Sequence, residues 1–298
     1  MAKGLQTTSD ELAALVQESS PGIVRVEGRR RAGATGIVWS ADGFIITANH
    51  VVRRDSQIGV GLPDGEVVEA TLIGRDQTTD VALLKIEATG LTPFTSAAES
   101  EMTVGHLVLA LGRPGKTVQA TLGIVSALGS SWRTGMGGEV DHYLQTDVVM
   151  YPGFSGGPLV GANGHLLGMN TSGFGQGVSL AIPSATLARV ADSLQSHGKI
   201  RRGYLGVSTQ RVRLPEDIQA ELAQRSGLLI VDVEAESPAA EGGLTLGDTI
   251  VGISDRPVRT HDDLLAALSG DVVDQKEMIR ILRGGKLEEV AVKIGERG

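Results

Sequence analysis

The chain has 298 residues and no cysteine. That removes disulfides, thiol nucleophiles and thiolate metal sites, though it fixes no compartment. Nowhere is there an apolar run of the ~18 residues that a membrane-spanning helix needs. The N-terminal 1-MAKGLQTTSDELAALVQESSPG-22 lacks the apolar centre of a signal peptide. A cytoplasmic chain is therefore expected, or an extracytoplasmic (periplasmic) one if a targeting segment is missing from this sequence. Basic residues are in deficit, 27 Lys and Arg against 35 Asp and Glu, a net charge of −8. That balance argues against general nucleic-acid binding. The one basic run, 29-RRR-31, reads as a solvated loop rather than a phosphate patch.

What the chain does have is glycine, 41 residues of it, breaking up short β-branched runs. From Gly22 to about Ile182 these runs are 23-IVRVEG-28, 36-GIVWS-40, 44-FIITA-48, 57-QIGVGL-62, 67-VVEATLIG-74, 81-VALLKI-86, 107-LVLAL-111 and 117-TVQATLGIVSAL-128. Many short strands without intervening helices indicate an all-β barrel or sandwich. The turn 62-LPDG-65 reads as a hairpin between two of them. Before this region, Thr8 and Glu11 fit a capping box ahead of a short helix stopped by Ser20-Pro21.

After it, 184-SATLARVADSLQSHG-198 is patterned as a helix, with Ser184 as cap, Leu187, Val190, Ala191 and Leu194 on one face, and Gly198 at the end. The basic stretch 199-KIRRG-203 marks a boundary. The remainder alternates strands (227-GLLIVDV-233, 249-TIVGIS-254, 278-MIRILRGG-285, 289-EVAVKI-294) with helix candidates 216–227 and 260–270, the second capped by Thr260 with Asp263. That is a small α+β domain.

The stretch 151-YPGFSGGPLV-160 places Ser155 among glycines. Its G-x-S-x-G spacing suits the elbow of α/β-hydrolases, but Gly156, Gly157 and Pro158 follow where that fold needs a helix. A serine hydroxyl needs a base, and histidine is the usual one near neutral pH. Of six histidines, His50 follows the apolar run 44–49, and Asp80 immediately precedes 81-VALLKI-86. Singly, each suits a surface or turn position. Together they stand in the order His, Asp, Ser, which is that of the chymotrypsin-like β-barrel proteases.

These pieces resemble the HtrA/Deg serine proteases, trypsin-like domains followed by PDZ domains. The matching segments are 42-DGFIITANHVV-52, 79-TDVALLKI-86, 122-LGIVSALG-129, 144-LQTDVVMYPGFSGGPL-159, 164-GHLLGMN-170 and 180-LAIPS-184, then 202-RGYLGV-207 and 237-SPAAEGGLTLGDTIVGI-253. The resemblance implies a mainly β chain, a chymotrypsin-like double β-barrel followed by an α+β PDZ domain. Its expected divisions are an N-terminal helical segment 1–21, a protease domain 22–198, a linker 199–202 and a PDZ domain 203–298. It implies Ser155 as nucleophile, His50 as base, Asp80 as the orienting carboxylate, and the N–H groups of Gly153 and Ser155 as oxyanion hole. Met150, Val178 and Leu180 are candidates for the pocket that takes the residue before the cut. With no acidic residue between Val148 and Phe154, small or medium aliphatic residues are expected there.

The loop of Tyr204, Leu205, Gly206 and Val207 would take a peptide C-terminus, the peptide adding as a strand beside the helix at 261–269. His261 is expected as a solvated first-turn residue, with ligand contact as the alternative. Neither metal nor cofactor is implied. Unfolded proteins are the implied substrates, in quality control, and a homotrimer or a multiple of it the implied assembly. A silent or resting chaperone-like form is the competing expectation. The family pattern Asn-Pro-Gly-Asn-Ser-Gly-Gly-Pro is departed from at Tyr151 and Phe154, and Ala48-Asn49 reverses the usual order before the histidine. Phe154 could shape subsites beyond the cut, pack against a neighbour, or hold the loop inactive. The short 28-GRRRAG-33 connection leaves no room for a long regulatory insertion.

Overall fold

The computed structural model describes residues 2–29, 33–174, 177–269 and 272–296. Arg30 and Arg31 of the basic run lie outside the described residues. The chain divides into two compact units, 1–200 and 201–298.

The first unit holds two closed antiparallel barrels of six strands. In one, β1 (Ile23–Glu27), β2 (Ala34–Val38), β3 (Phe44–Ala48), β4 (Ile58–Gly61), β5 (Val67–Asp76) and β6 (Val81–Ile86) run in the order β1-β2-β3-β6-β5-β4 and close β4 onto β1. The 62–65 turn joins β4 to β5 as expected. In the other, β7 (Leu107–Gly112), β8 (Gln119–Gly129), β9 (Tyr143–Thr146), β10 (Pro158–Gly161), β11 (Leu166–Thr171) and β12 (Ser179–Pro183) run β9-β12-β11-β10-β7-β8 and close β8 onto β9. Two closed barrels, rather than a sandwich, meet the all-β reading of the strand spacing, and they are the chymotrypsin-like double barrel that the family resemblance implies.

Strand β6 is buried along nearly its whole length. The reason is its position: Leu83 and Leu84 share a core with β3, and helix α2 (Ser184–His197) lies over β5 and β6 with Leu187, Val190, Ala191 and Leu194 buried. Gly198 ends α2 in a left-handed conformation, φ 70°. Ser184 is not its cap: Pro183 takes that position, and the Ser184 hydroxyl donates instead to the Ala97 carbonyl at 3.2 Å.

The N-terminal helix α1 covers Ala2–Ser19, longer than the capping box at Thr8 predicts. Thr8 sits inside it and donates back to the Gly4 carbonyl at 3.2 Å, so no box forms there. The helix gains its stability from packing, as Leu12, Leu15 and Val16 lie against Leu109, Leu111 and Val160 of the second barrel.

The main sheet of the second unit runs in the order β13 (Val207–Arg213), β14 (Ser226–Val233), β15 (Thr249–Ile253), β16 (Lys276–Arg283), β17 (Lys286–Lys293), with the short strand Arg256–Pro257 paired to β15, and a separate two-stranded sheet pairs Gly203–Tyr204 with Gly295–Glu296. Among the described residues three helices accompany these strands: α3 (Glu216–Leu222), α4 (Pro238–Gly242) and α5 (His261–Ala267). Thr260 and Asp263 form the expected capping box on α5. Helix α3 stops short of the expected residue 227 because Ala223 turns left-handed, φ 50°. Buried Gln224 then donates to the carbonyls of Ser226, Val251 and Val258, fixing the turn. Helix α4, capped by the Ser237 hydroxyl, was not predicted. Its five residues are too few to show a period.

Candidate active site

His50 lies in a single tight turn, Asn49–Val51, directly after β3. Asp80 lies at the end of the β5–β6 connection. That connection is shaped by Asp76, whose carboxylate accepts from the Thr78 N–H at 3.0 Å and from the hydroxyls of Thr78 and Thr79 at 2.7 and 2.6 Å. The chain leaves this loop through Asp80 in a left-handed conformation, φ 58°, which short polar side chains tolerate better than most. Strands β3 and β6 pair from Ala48 to Val81, so the two loops emerge side by side.

Asp80 then holds the His50 turn three ways. Its carbonyl accepts from the Asn49 N–H at 2.9 Å, Oδ1 from the His50 N–H at 2.9 Å, and Oδ2 pairs with His50 Nδ1 at 2.8 Å. With Nδ1 donating to the carboxylate, Nε2 carries the lone pair. The Thr171 hydroxyl, at the end of β11, also donates to Oδ2, at 2.5 Å. The carboxylate thus accepts three hydrogen bonds and is nearly buried, while the imidazole is one-third exposed.

Ser155 comes from the second barrel. Tyr151 to Phe154 form a β-turn closed by the Phe154 N–H on the Tyr151 carbonyl at 3.0 Å. Pro152 followed by Gly153 at φ 92° is the signature of a type II turn, which a residue with a Cβ would strain. Thr35 of β2 clamps the loop from the first barrel. Its hydroxyl donates to the Gly153 carbonyl at 2.7 Å, its N–H to the Ser155 carbonyl at 3.3 Å, and it accepts from the Arg113 N–H at 2.8 Å. Among the described residues, no protein group accepts from the N–H of Gly153 or of Ser155.

Phe154 is fully buried in the core of the second barrel, edge-on to the ring of Tyr151 with centroids 5.7 Å apart. Of the three roles open to it in the sequence, packing is the one that its position matches. Tyr151 remains half exposed.

Asp80 bonds His50 directly and is linked to Ser155 through Thr171 and the next residue, Ser172, while Ser155 and His50 share no hydrogen bond. The Ser155 hydroxyl instead lies 3.0 Å from that of Ser172, the residue after Thr171. Thr35, Thr171 and Ser172 were missed in the sequence. Thr35 carried no signal, and the motif 164-GHLLGMN-170 stops one residue before Thr171.

Of the pocket candidates, Met150 packs at the margin of the second barrel's core. Val178 is 43% exposed and Leu180 only 7%, at the beginning of β12. Leu180 lies outside the core to which its neighbour Ala181 belongs, as strand alternation requires.

In the second unit, Tyr204 pairs with Gly295, and its hydroxyl meets the Glu234 carboxylate. The carbonyls of Leu205 and Gly206 accept from Ala239 and Glu234, at 2.8 and 2.9 Å. Among the described residues, the N–H groups of Leu205 and Gly206 have no protein acceptor. The next residue, Val207, opens β13, an edge strand. His261, at the start of α5, is exposed but not free: Nε2 donates to the Thr209 carbonyl of β13 at 3.0 Å.

Comparison with known proteins gives a consistent picture. The trypsin-like peptidase domain pattern matches residues 34–169 and the PDZ domain pattern residues 203–294. A protein of Ectopseudomonas mendocina (strain ymp) named "Probable periplasmic serine endoprotease DegP-like" is 37% identical over 292 residues, covering 94% of this chain and 60% of that protein. This chain thus spans under two thirds of that relative's length. Among solved structures, the HtrA-type protease AlgW with tripeptide is 32% identical with a TM-score of 0.78, covering 96% of this chain and 97% of that one. The serine endoprotease from Yersinia pestis is 30% identical with a TM-score of 0.77, covering 95% and 97%.

Proposed function

This chain belongs to the HtrA/DegP-like serine endoproteases, a trypsin-like peptidase domain joined to one PDZ domain, and on that premise we propose that it hydrolyses peptide bonds in unfolded or misfolded proteins. The supporting observation is the His50–Asp80 pair, 2.8 Å apart, with Thr171 bonded to Asp80 and the adjacent Ser172 bonded to Ser155. In this reading, Ser155 Oγ attacks the carbonyl carbon of the substrate while its proton passes to His50 Nε2. Asp80 keeps Nδ1 protonated and stabilises the imidazolium. The unpartnered N–H groups of Gly153 and Ser155 take the developing oxyanion, each worth roughly 10²–10³ in rate. The C–N bond then breaks as His50 returns the proton to the leaving amine. Water repeats the sequence on the acyl-enzyme.

The loop 204–207 would receive a peptide C-terminal carboxylate on the N–H groups of Leu205 and Gly206, with the peptide adding to the free edge of β13. The names of the relatives favour a periplasmic location. The family resemblance favours a homotrimer as the working assembly.

The test is hydrolysis of casein together with fluorophosphonate labelling. Both are expected in wild type and abolished in Ser155→Ala. Equal cleavage by the two proteins would sink the triad. The Ser155–Ser172 contact favours a second reading for the unliganded state, a resting enzyme rather than one with its triad fully assembled.

A further inference from the structure

Ser155 Oγ carries one proton and two lone pairs. To be activated, the hydroxyl must donate that proton in a hydrogen bond to His50 Nε2. In the structure the hydroxyl is engaged by Ser172 Oγ at 3.0 Å, and no hydrogen bond reaches His50. Ser172 itself has no need of this contact. It is exposed, and water would satisfy its hydroxyl equally well.

Its backbone, however, is firmly placed. On one side Thr171 donates to Asp80 Oδ2, at 2.5 Å, and on the other the Gly173 N–H donates to Thr171 Oγ1 at 2.9 Å. On the other partner, the Ser155 backbone is clamped by Thr35 and by the Gly156 N–H on the Asn170 carbonyl at 2.9 Å. Two anchored main chains leave only the side-chain rotations of Ser155 and Ser172 about χ1 as soft coordinates, and the Ser155 rotation between staggered wells is the one that bears on reactivity.

We propose that Ser172 is a positioning residue for Ser155, holding the nucleophile's hydroxyl in a resting well turned away from His50. This rests on the protease reading above. Each turnover then begins by exchanging the Ser155–Ser172 hydrogen bond for a Ser155–His50 one. The Thr171–Ser172 dipeptide thus acts on both ends of the triad, supporting Asp80 through one hydroxyl and restraining Ser155 through the next. The restraint equals one neutral hydrogen bond, so its removal raises the reactive population about 2- to 10-fold.

The experiment compares full-length wild type, Ser172→Ala and Ser172→Thr. It reads the second-order rate of fluorophosphonate labelling at Ser155 across pH, and kcat and KM on a short peptide. Ser172→Ala should label about 2- to 10-fold faster and gain the same factor in kcat, with KM unchanged. Ser172→Thr, which restores a hydroxyl, should return labelling to the wild-type rate. Because residue 172 is exposed, the thermal midpoint should not move, and a rate gain with an unmoved midpoint separates positioning from a structural role. Labelling of Ser172→Ala within twofold of wild type or slower overturns the inference, as does a change in KM alone or a Thr variant that behaves as the Ala one does. Those outcomes leave the protease reading intact when wild type labels at Ser155. Absence of labelling in both wild type and Ser172→Ala overturns both.

Discussion

Gly112 lies directly against the ring of Phe154: a Cβ added at residue 112 would stand 2.6 Å from Phe154 Cδ1 and 3.0 Å from Cε1. The glycine at the end of β7 is thus the recess into which the loop's one large apolar side chain is sunk. Phe154 also donates to Tyr151 and accepts from the Gly157 N–H at 2.9 Å, so the buried ring and the turn are one unit.

Phe154→Ala should therefore lower the stability of the protease unit by about 3–5 kcal/mol, the cost of an emptied aromatic site. It should also slow labelling of Ser155, because the turn carrying Gly153 loses its anchor. Gly112→Ala should do both to a lesser degree by pushing the ring outward. Thermal melts and fluorophosphonate rates on the same samples check this. A stable, fully reactive Phe154→Ala would show that the ring has no part in holding the loop.

Thr35 fixes the orientation of the Gly153–Phe154 peptide, the unit between the two oxyanion donors, through the 2.7 Å bond to the Gly153 carbonyl. Thr35→Val keeps the shape but leaves two buried groups, the Gly153 carbonyl and the Arg113 N–H, without a partner. The expected loss in kcat is about tenfold, smaller than the ~10²–10³ for deleting an oxyanion donor outright, since the N–H groups themselves remain. Thr35→Ser should retain most of the activity. Steady-state kinetics on a peptide substrate decide it, with KM expected to hold.

Asp80 and Thr171 allow a graded comparison. Asp80→Asn should cost on the order of 10⁴ in kcat, because an amide at that position favours the wrong imidazole tautomer. Thr171→Val removes one charge-assisted donor from the same oxygen, and a loss of about 10- to 100-fold follows from the usual worth of such a bond. In Asp80→Asn the further Thr171→Val change should have almost no effect. Additive losses in the double variant would show that Thr171 acts elsewhere.

The barrels were legible because β-branched runs such as 81–86 sit between glycines and turn residues at strand-like spacing. The His50–Asp80 contact was anticipated because the order His50, Asp80, Ser155 carries meaning that none of the three has singly. Thr35 and Ser172 were not. Each contributes one hydroxyl to a residue more than fifteen positions away, and tertiary contact alone creates that role. Thr8 misled for the opposite reason, since a correct local pattern for a helix start was overridden by a helix that began earlier and was held by Leu12, Leu15 and Val16. Phe154 was ambiguous because its loop context gave no hint of the recess beneath it.

In the PDZ unit, Arg283 grips buried Asp248 with both arms, Nε on Oδ1 and Nη2 on Oδ2, each at 2.7 Å, and the Thr245 N–H adds a 2.7 Å bond to Oδ2. Burial pushes the Asp248 carboxyl up, but Arg283 and Thr245 together outweigh it and hold the group below its ordinary value of 3.8. The folded form therefore binds its proton less readily than the unfolded chain. The stabilisation is fully present above pH 3.8 and is lost as pH falls through the lower, folded-state value. Asp248→Asn should cost the PDZ unit about 2 kcal/mol at pH 7, the worth of a hydrogen bond to a charged group. The gap between wild type and variant should stay constant from pH 7 to about 5 and begin to narrow below about 4, where the unfolded carboxylate takes up its proton. Denaturant melts of the full chain, following the transition of the C-terminal unit, measure it. A gap as wide at pH 3 as at pH 7 would mean that the pair stabilises through packing and not through its charge.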